Sequence, residues 1–206
     1  MKKTLLVIIA VLAMVPAYSA AQNANERHCE NSRYEHHSRR HRPSYLISNN
    51  TVYYNGVKVQ GASASSFKVL QDGYARDSWN IYFRGMKINT TAGNSFTCLG
   101  YGYAKDSWTV YYNGAKIPSA SPSSFELIDE WYAKDSFNVY FDGNKIDGMS
   151  PNGFTVLGDG YAKDNWNVVF DGVKVQGASA NSFKVLHDGY ARDSWNTYYF
   201  GRTLQN

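Results

Sequence analysis

One spacing governs this 206-residue chain. Phenylalanine recurs at Phe67, Phe96, Phe125, Phe154 and Phe183, aspartate at Asp77, Asp106, Asp135, Asp164 and Asp193, and every step is 29 residues. Gly56, Gly85, Gly114, Gly143, Gly172 and Gly201 keep the same step through six units with no insertion. A period in this range marks a tandem-repeat architecture, in which a single unit cannot cover its own apolar faces and its neighbours complete the core. Five full repeats and a partial first unit fill residues 45–206, which leaves one repeat domain and a lead-in.

Each unit reads as a meander of three or four short strands. In the second unit Phe67-Lys-Val-Leu70 is a β run and Gln71-Asp-Gly73 turns the chain into Tyr74-Ala-Arg76. Ser78-Trp-Asn80 then turns it into Ile81-Tyr-Phe83, and Arg84-Gly85 leads to Met86-Lys-Ile88. The 17 tyrosines, 10 phenylalanines and 17 glycines suit strands joined by tight turns. Asn55-Gly56, Asn113-Gly114, Asp142-Gly143 and Asp171-Gly172 are the pairs favoured in two-residue type I′ hairpins, where both central residues need positive φ. Val110 and Tyr112 point one way and Tyr111 the other, so both faces carry apolar side chains and each small sheet needs a cover on both sides.

The fold class expected is therefore all-β, with two arrangements open: a six-bladed propeller-like ring, or a linear β-solenoid. Six units suit a ring, which is slightly preferred, although 29 residues is lean beside the roughly 40 to 50 of common blades. The first unit, from Tyr45 to Gly56, lacks its opening strand. It carries Ser48 and Asn50 where the others carry Asp and an aromatic residue, as a cap does.

Residues 1–20 read as a secretory signal peptide: Lys2 and Lys3, an apolar run from Leu5 to Val15, and a small-residue cleavage region ending near Ala21. A periplasmic or secreted protein follows, with no membrane span in the mature chain. Residues 21–44 form a His/Arg-rich mobile linker with almost nothing apolar to bury. Setting aside the two signal lysines, and the five arginines and three glutamates of residues 22–44, leaves 14 basic and 14 acidic residues in the repeats. That balance argues against nucleic acid, whose binders carry a basic face.

His28, Cys29, His36, His37 and His41 cluster in the linker and could capture Zn, Cu or Ni. Their spacing matches no closed structural site, and a solvated basic linker is the plainer reading, so no cofactor is expected. Cys98 stands where other repeats place Val69, Leu127, Val156 and Val185, a core position, and a bridge to Cys29 would need the linker to pack on the repeats.

The phrase running from Gly102-Tyr-Ala-Lys-Asp106 through Val110-Tyr-Tyr112 to Ile117, repeated in register, resembles the DKNYY family of bacterial repeat proteins. The likeness covers Tyr45 to Leu204. The chain departs from the name-giving motif by placing Ser or Asn and then Trp or Phe after the Asp, as in Asp106-Ser-Trp108. The resemblance implies an exported or envelope-associated repeat protein and supplies no established activity.

The repeated Asp stands where a strand enters a turn, the ordinary place for a carboxylate that accepts backbone N–H bonds. A calcium site is the sharper alternative, but one fixed carboxylate per unit falls short of the six to eight oxygens that calcium takes. Trp79, Trp108, Phe137, Trp166 and Trp195 are either plugs between sheets, the first expectation, or exposed platforms for a glycan or an envelope protein. His187 replaces a turn residue and reads as surface. Glu126, Asp129 and Glu130, beside Trp131 in a glycine position, are the only source of a carboxylate pair for glycoside hydrolysis, and nothing marks one of them as the acid. Val57 to Asn80 and Val173 to Asn196 match at 22 of 24 positions. Units this alike leave no room for a singled-out active site. The function expected is non-enzymatic presentation of an aromatic-rich surface, with metal capture by the linker and glycan hydrolysis as alternatives; oligomeric state is left open.

Overall fold

A computed structural model describes residues 44–90 and 93–204. The stretch read as a signal peptide, and residues 21–43 of the expected linker with its histidines and Cys29, lie outside the described residues. The repeats fold as six antiparallel meanders, each with strands in sequence order. The first has three strands, Tyr45–Ser48, Thr51–Tyr54 and Val57–Lys58. The others have four; the second comprises Lys68–Val69, Tyr74–Arg76, Ile81–Phe83 and Met86–Ile88.

The hairpin pairs behave as the type I′ geometry requires. Asn113 and Gly114 take φ of 48° and 79°, and Asp171 and Gly172 take 45° and 74°. Arg84 and Phe200 occupy the same left-handed position at 46° and 45°, where a side chain other than Asn, Asp or Gly is uncommon.

Both faces of every interior sheet are buried, and the pleat decides which neighbour each side chain meets. In the fourth sheet Ala133 and Tyr140 pack with Tyr103 and Val110 of the third, while Tyr132 and Val139 pack with Ala162 and Val169 of the fifth. The same division runs along the stack. Five core clusters join the six sheets, each between consecutive neighbours. Stacked sheets lie about 10 Å apart, which sets the pitch of the repeat.

Two devices lock one unit to the next. The hydroxyls of Tyr45, Tyr74, Tyr103 and Tyr161 accept a hydrogen bond from the N–H of Gly85, Gly114, Gly143 and Gly201 in the following unit, at 2.8 to 2.9 Å. Those glycines also lie flat against the preceding unit's aromatic ring: a Cβ on Gly114 would come within 2.7 Å of the Phe83 ring. Glycine is needed there twice over, for the turn and for the close approach.

Of the two arrangements left open by the sequence, the described residues form the open one. A closed ring of six units needs six interfaces, and five are present. The last sheet leaves Tyr190 38% exposed, whereas Tyr74, Tyr103, Tyr132 and Tyr161 at the same position are 2% exposed or less. The ring preference is corrected accordingly: unit count does not encode closure.

Candidate functional site

The repeated aspartate builds the most regular feature of the molecule. Asp77 is buried, and its Oδ1 accepts the N–H groups of Trp79 and Asn80 at 2.8 and 2.7 Å. Its Oδ2 accepts the Tyr82 hydroxyl at 2.8 Å and the N–H of Ser63, in the linker before the first strand, at 2.9 Å. Ser66 Oγ takes the N–H of Ser78 at 3.1 Å, so every backbone donor of the turn has an acceptor. Asp135 and Asp193 repeat the four-donor pattern with Ser121, Phe137, Asn138 and Tyr140, and with Ser179, Trp195, Asn196 and Tyr198. In the fifth unit Val169 replaces the tyrosine, and Asn167 Nδ2 approaches Asp164 Oδ2 at 3.4 Å instead.

Burial pushes the Asp77 carboxyl up, but donation from Ser63, Trp79, Tyr82 and Asn80 outweighs it and brings the group down to about 2. Asp135, Asp164 and Asp193 are lowered in the same way. On the partner side, burial and then the Asp77 hydrogen bond hold the Tyr82 hydroxyl up to about 12. The turn reading of these aspartates is borne out. A cation there would have to displace donors that already fill both oxygens.

What the turn carries departs from the first expectation. Trp79 is 86% exposed and Trp108 75%, and Phe137, Trp166 and Trp195 stand out equally. They are not plugs between sheets. The plugs are the tyrosines of the neighbouring strands and four of the repeated phenylalanines, Phe67, Phe96, Phe125 and Phe183. The sequence could not tell the two apart, because an aromatic residue beside a turn serves a core as well as a platform.

A cleft of about 570 Å³ opens beside Trp79, against the linker of the next unit; Arg76, Asn80, Thr90, Asn94, Ser95 and Ser107 contribute polar groups to it.

The acidic residues of the middle unit are held by local contacts. Asp129 Oδ1 accepts the N–H groups of Trp131 and Tyr132 at 2.8 and 2.7 Å, the same capping pattern as Asp77. Glu130 accepts the Trp131 indole N–H at 2.9 Å, and Glu126 pairs with Lys134 at 3.2 Å across the sheet. Each carboxylate thus has its own structural partner. Trp131 removes the glycine that the turn uses elsewhere, and Asp129 supplies the cap that replaces it. All five tryptophans of the chain follow an aspartate by two residues. That spacing is readable in the sequence.

His187 is exposed, with Nδ1 at 3.1 Å from Asp188, as a surface residue. Cys98 carries a free thiol, half-buried against the core shared by the second and third sheets, and burial raises it above the usual thiol range. Among the described residues no group of three or more His, Cys, Asp and Glu side chains could hold a metal ion, and no helix is long and apolar enough to cross a membrane.

The geometry defines a class: an all-β tandem-repeat protein of stacked antiparallel meanders that displays one aromatic residue per Asp-capped turn. The sequence model of the DKNYY family matches residues 45–102 and 103–206, and the chain belongs to that family. No curated protein and no solved structure matches it.

Proposed function

We propose that this DKNYY-family repeat protein is an exported, non-enzymatic binding protein whose row of turn aromatics, Trp79, Trp108, Phe137, Trp166 and Trp195, holds an extended glycan chain. The observation that carries the reading is the row itself. Five large aromatic side chains stand in water at equivalent positions, each forgoing the roughly 2 to 3 kcal/mol that burying a large apolar side chain brings. Each sits on a turn whose backbone donors are fixed by a carboxylate, buried in all but the last unit, so the platforms are pre-organised.

Sugar rings present an apolar C–H face that stacks on an indole and hydroxyls that seek amide and hydroxyl partners. Ser78, Asn80, Ser107, Thr109, Asn138, Asn167 and Asn196 stand beside the platforms. The formal neutrality of the repeats suits an uncharged polymer better than a polyanion. At a pitch of about 10 Å, several weak stacking contacts on one chain would add by effective concentration. Export is supported by Lys2, Lys3, the apolar run from Leu5 to Val15 and the small-residue stretch to Ala21.

The test is retardation of the protein in gels cast with a panel of neutral soluble polysaccharides. We expect retardation by at least one, weakened several-fold by Trp79→Ala and further by Trp79→Ala combined with Trp108→Ala. No retardation across the panel, or retardation indifferent to these substitutions, would end the proposal.

A further inference from the structure

We infer that copies of this chain associate head to tail, the last unit of one docking on the first unit of the next. The inference is independent of the aromatic row and stands on what the two ends leave open.

Each junction inside the chain has two halves. The leading unit offers a tyrosine hydroxyl and an aromatic ring; the following unit offers a hairpin glycine and a turn carbonyl. Tyr74 illustrates both bonds, accepting from the Gly114 N–H at 2.9 Å and donating to the Gly102 carbonyl at 3.0 Å, while Phe83 lies on Gly114. The sixth unit keeps the aromatic part of the leading half, with an exposed Thr197 where the interior units bury Ile81, Val110, Val139 and Val168. Tyr190 and Tyr199 occupy the positions of Tyr74 and Phe83, and they are 38% and 40% exposed beside Phe200 and Leu204.

The first unit keeps the following half. Gly56 occupies the position of Gly114, and a Cβ built on it meets nothing within 4 Å among the described residues. The Ser44 carbonyl accepts the Asn55 N–H at 3.2 Å, as the Gly102 carbonyl accepts that of Asn113 at 2.9 Å. It therefore stands where a second tyrosine hydroxyl could reach it.

On the same end Leu46 stands at the position of Ala104, which the interior junction buries, and it is 60% exposed. Because the two surfaces differ, the contact is heterologous and, at the operator relating consecutive units, leaves a free end for each copy added.

Sedimentation velocity on the purified protein over a concentration series tests this. Expected is a weight-average mass that rises past two chains with no plateau. Tyr190→Glu and Leu46→Glu block opposite ends, so each alone is expected to sediment as one chain, and their equimolar mixture as a 1:1 dimer and nothing larger. Circular dichroism of both variants guards against a local loss of fold at Tyr190, and Leu46→Glu, at an exposed site, supplies the independent arm. A wild type that stays at one chain throughout, a plateau at a symmetric dimer, or assembly that survives both substitutions would overturn it. So would a single-chain species in which the residues before Ser44 protect the amides around Leu46 from hydrogen exchange, which would give that face to the chain's own leading segment.

Discussion

The first and second units close the same four-residue turn by opposite means. In Ser48-Asn49-Asn50-Thr51 the two central residues take φ of 48° and 56°, a type I′ turn whose twist matches the strands it joins. In Asp77-Ser78-Trp79-Asn80 neither central residue has positive φ, a conformation that tends to splay a hairpin, and the carboxylate of Asp77 holds it closed by taking the N–H groups of Trp79 and Asn80. A bulky aromatic residue enters the left-handed region at a cost that asparagine largely escapes. Five units therefore place a carboxylate, buried in four of them, where two asparagines would close the same hairpin, and what they gain is an indole or phenyl ring aimed at solvent. Asp129 caps the turn bearing Trp131 in the same way, but that indole packs against the core and stacks on Phe141 instead of standing in solvent.

The comparison can be broken most sharply at the aspartate. Asp135→Ala should cost about 3 kcal/mol by urea unfolding, since it strands three backbone donors and a buried tyrosine hydroxyl. Ser48→Ala, at the matching position of the first unit, should stay within about 0.5 kcal/mol. Comparable losses at both would mean that the two turns do not differ as described.

The hairpin glycines come next. Gly114→Ala forces a left-handed alanine and a Cβ within 2.7 Å of Phe83, for a total of about 2 to 4 kcal/mol. Gly56→Ala carries only the backbone term, about 1 to 2 kcal/mol. Equal effects would remove the argument for close inter-unit approach.

Smaller still is the tyrosine pair. Tyr103→Phe deletes the hydroxyl that Gly143 donates to at 2.8 Å and should cost about 1 kcal/mol. Tyr190→Phe, at the open end, should be nearly silent in dilute solution.

The same aspartates set the pH response. A carboxyl held at about 2 in the fold and near 3.9 when unfolded contributes stability that is complete above pH 5 and is lost as the pH falls from about 4 through 2. Several such groups should steepen the loss. At the other end, hydroxyls such as that of Tyr82, raised to about 12, contribute below pH 10 and fail as the pH rises beyond it. Thermal midpoints should therefore plateau between about pH 5 and 9, and a midpoint that held from pH 5 down to 2 would contradict the buried-carboxylate account.

Much of this was legible before any coordinates. The step of 29 residues fixed the units, the Asn-Gly and Asp-Gly pairs fixed the hairpins, and the Asp was readable as a turn former because few other roles suit one carboxylate per unit. The direction of the aromatic residue was not, since its position on the far side of the turn depends on which strand face the neighbouring tyrosine already fills. Closure was not legible either. Whether six identical junctions meet end to end depends on small rotations per unit, and no residue type reports those. The partners of the middle unit's acidic residues were not legible either: Asp129 caps a turn and Glu126 faces Lys134 across the sheet, contacts that depend on the register of the strands.

The most direct test replaces all five platforms at once. A chain carrying serine at Trp79, Trp108, Phe137, Trp166 and Trp195 should unfold at the same midpoint as the wild type, because these side chains contribute almost nothing to the core, and should lose its retardation in polysaccharide gels entirely. Unchanged retardation, or a collapse of the fold, would show that the turns exist for something other than the rings they hold out.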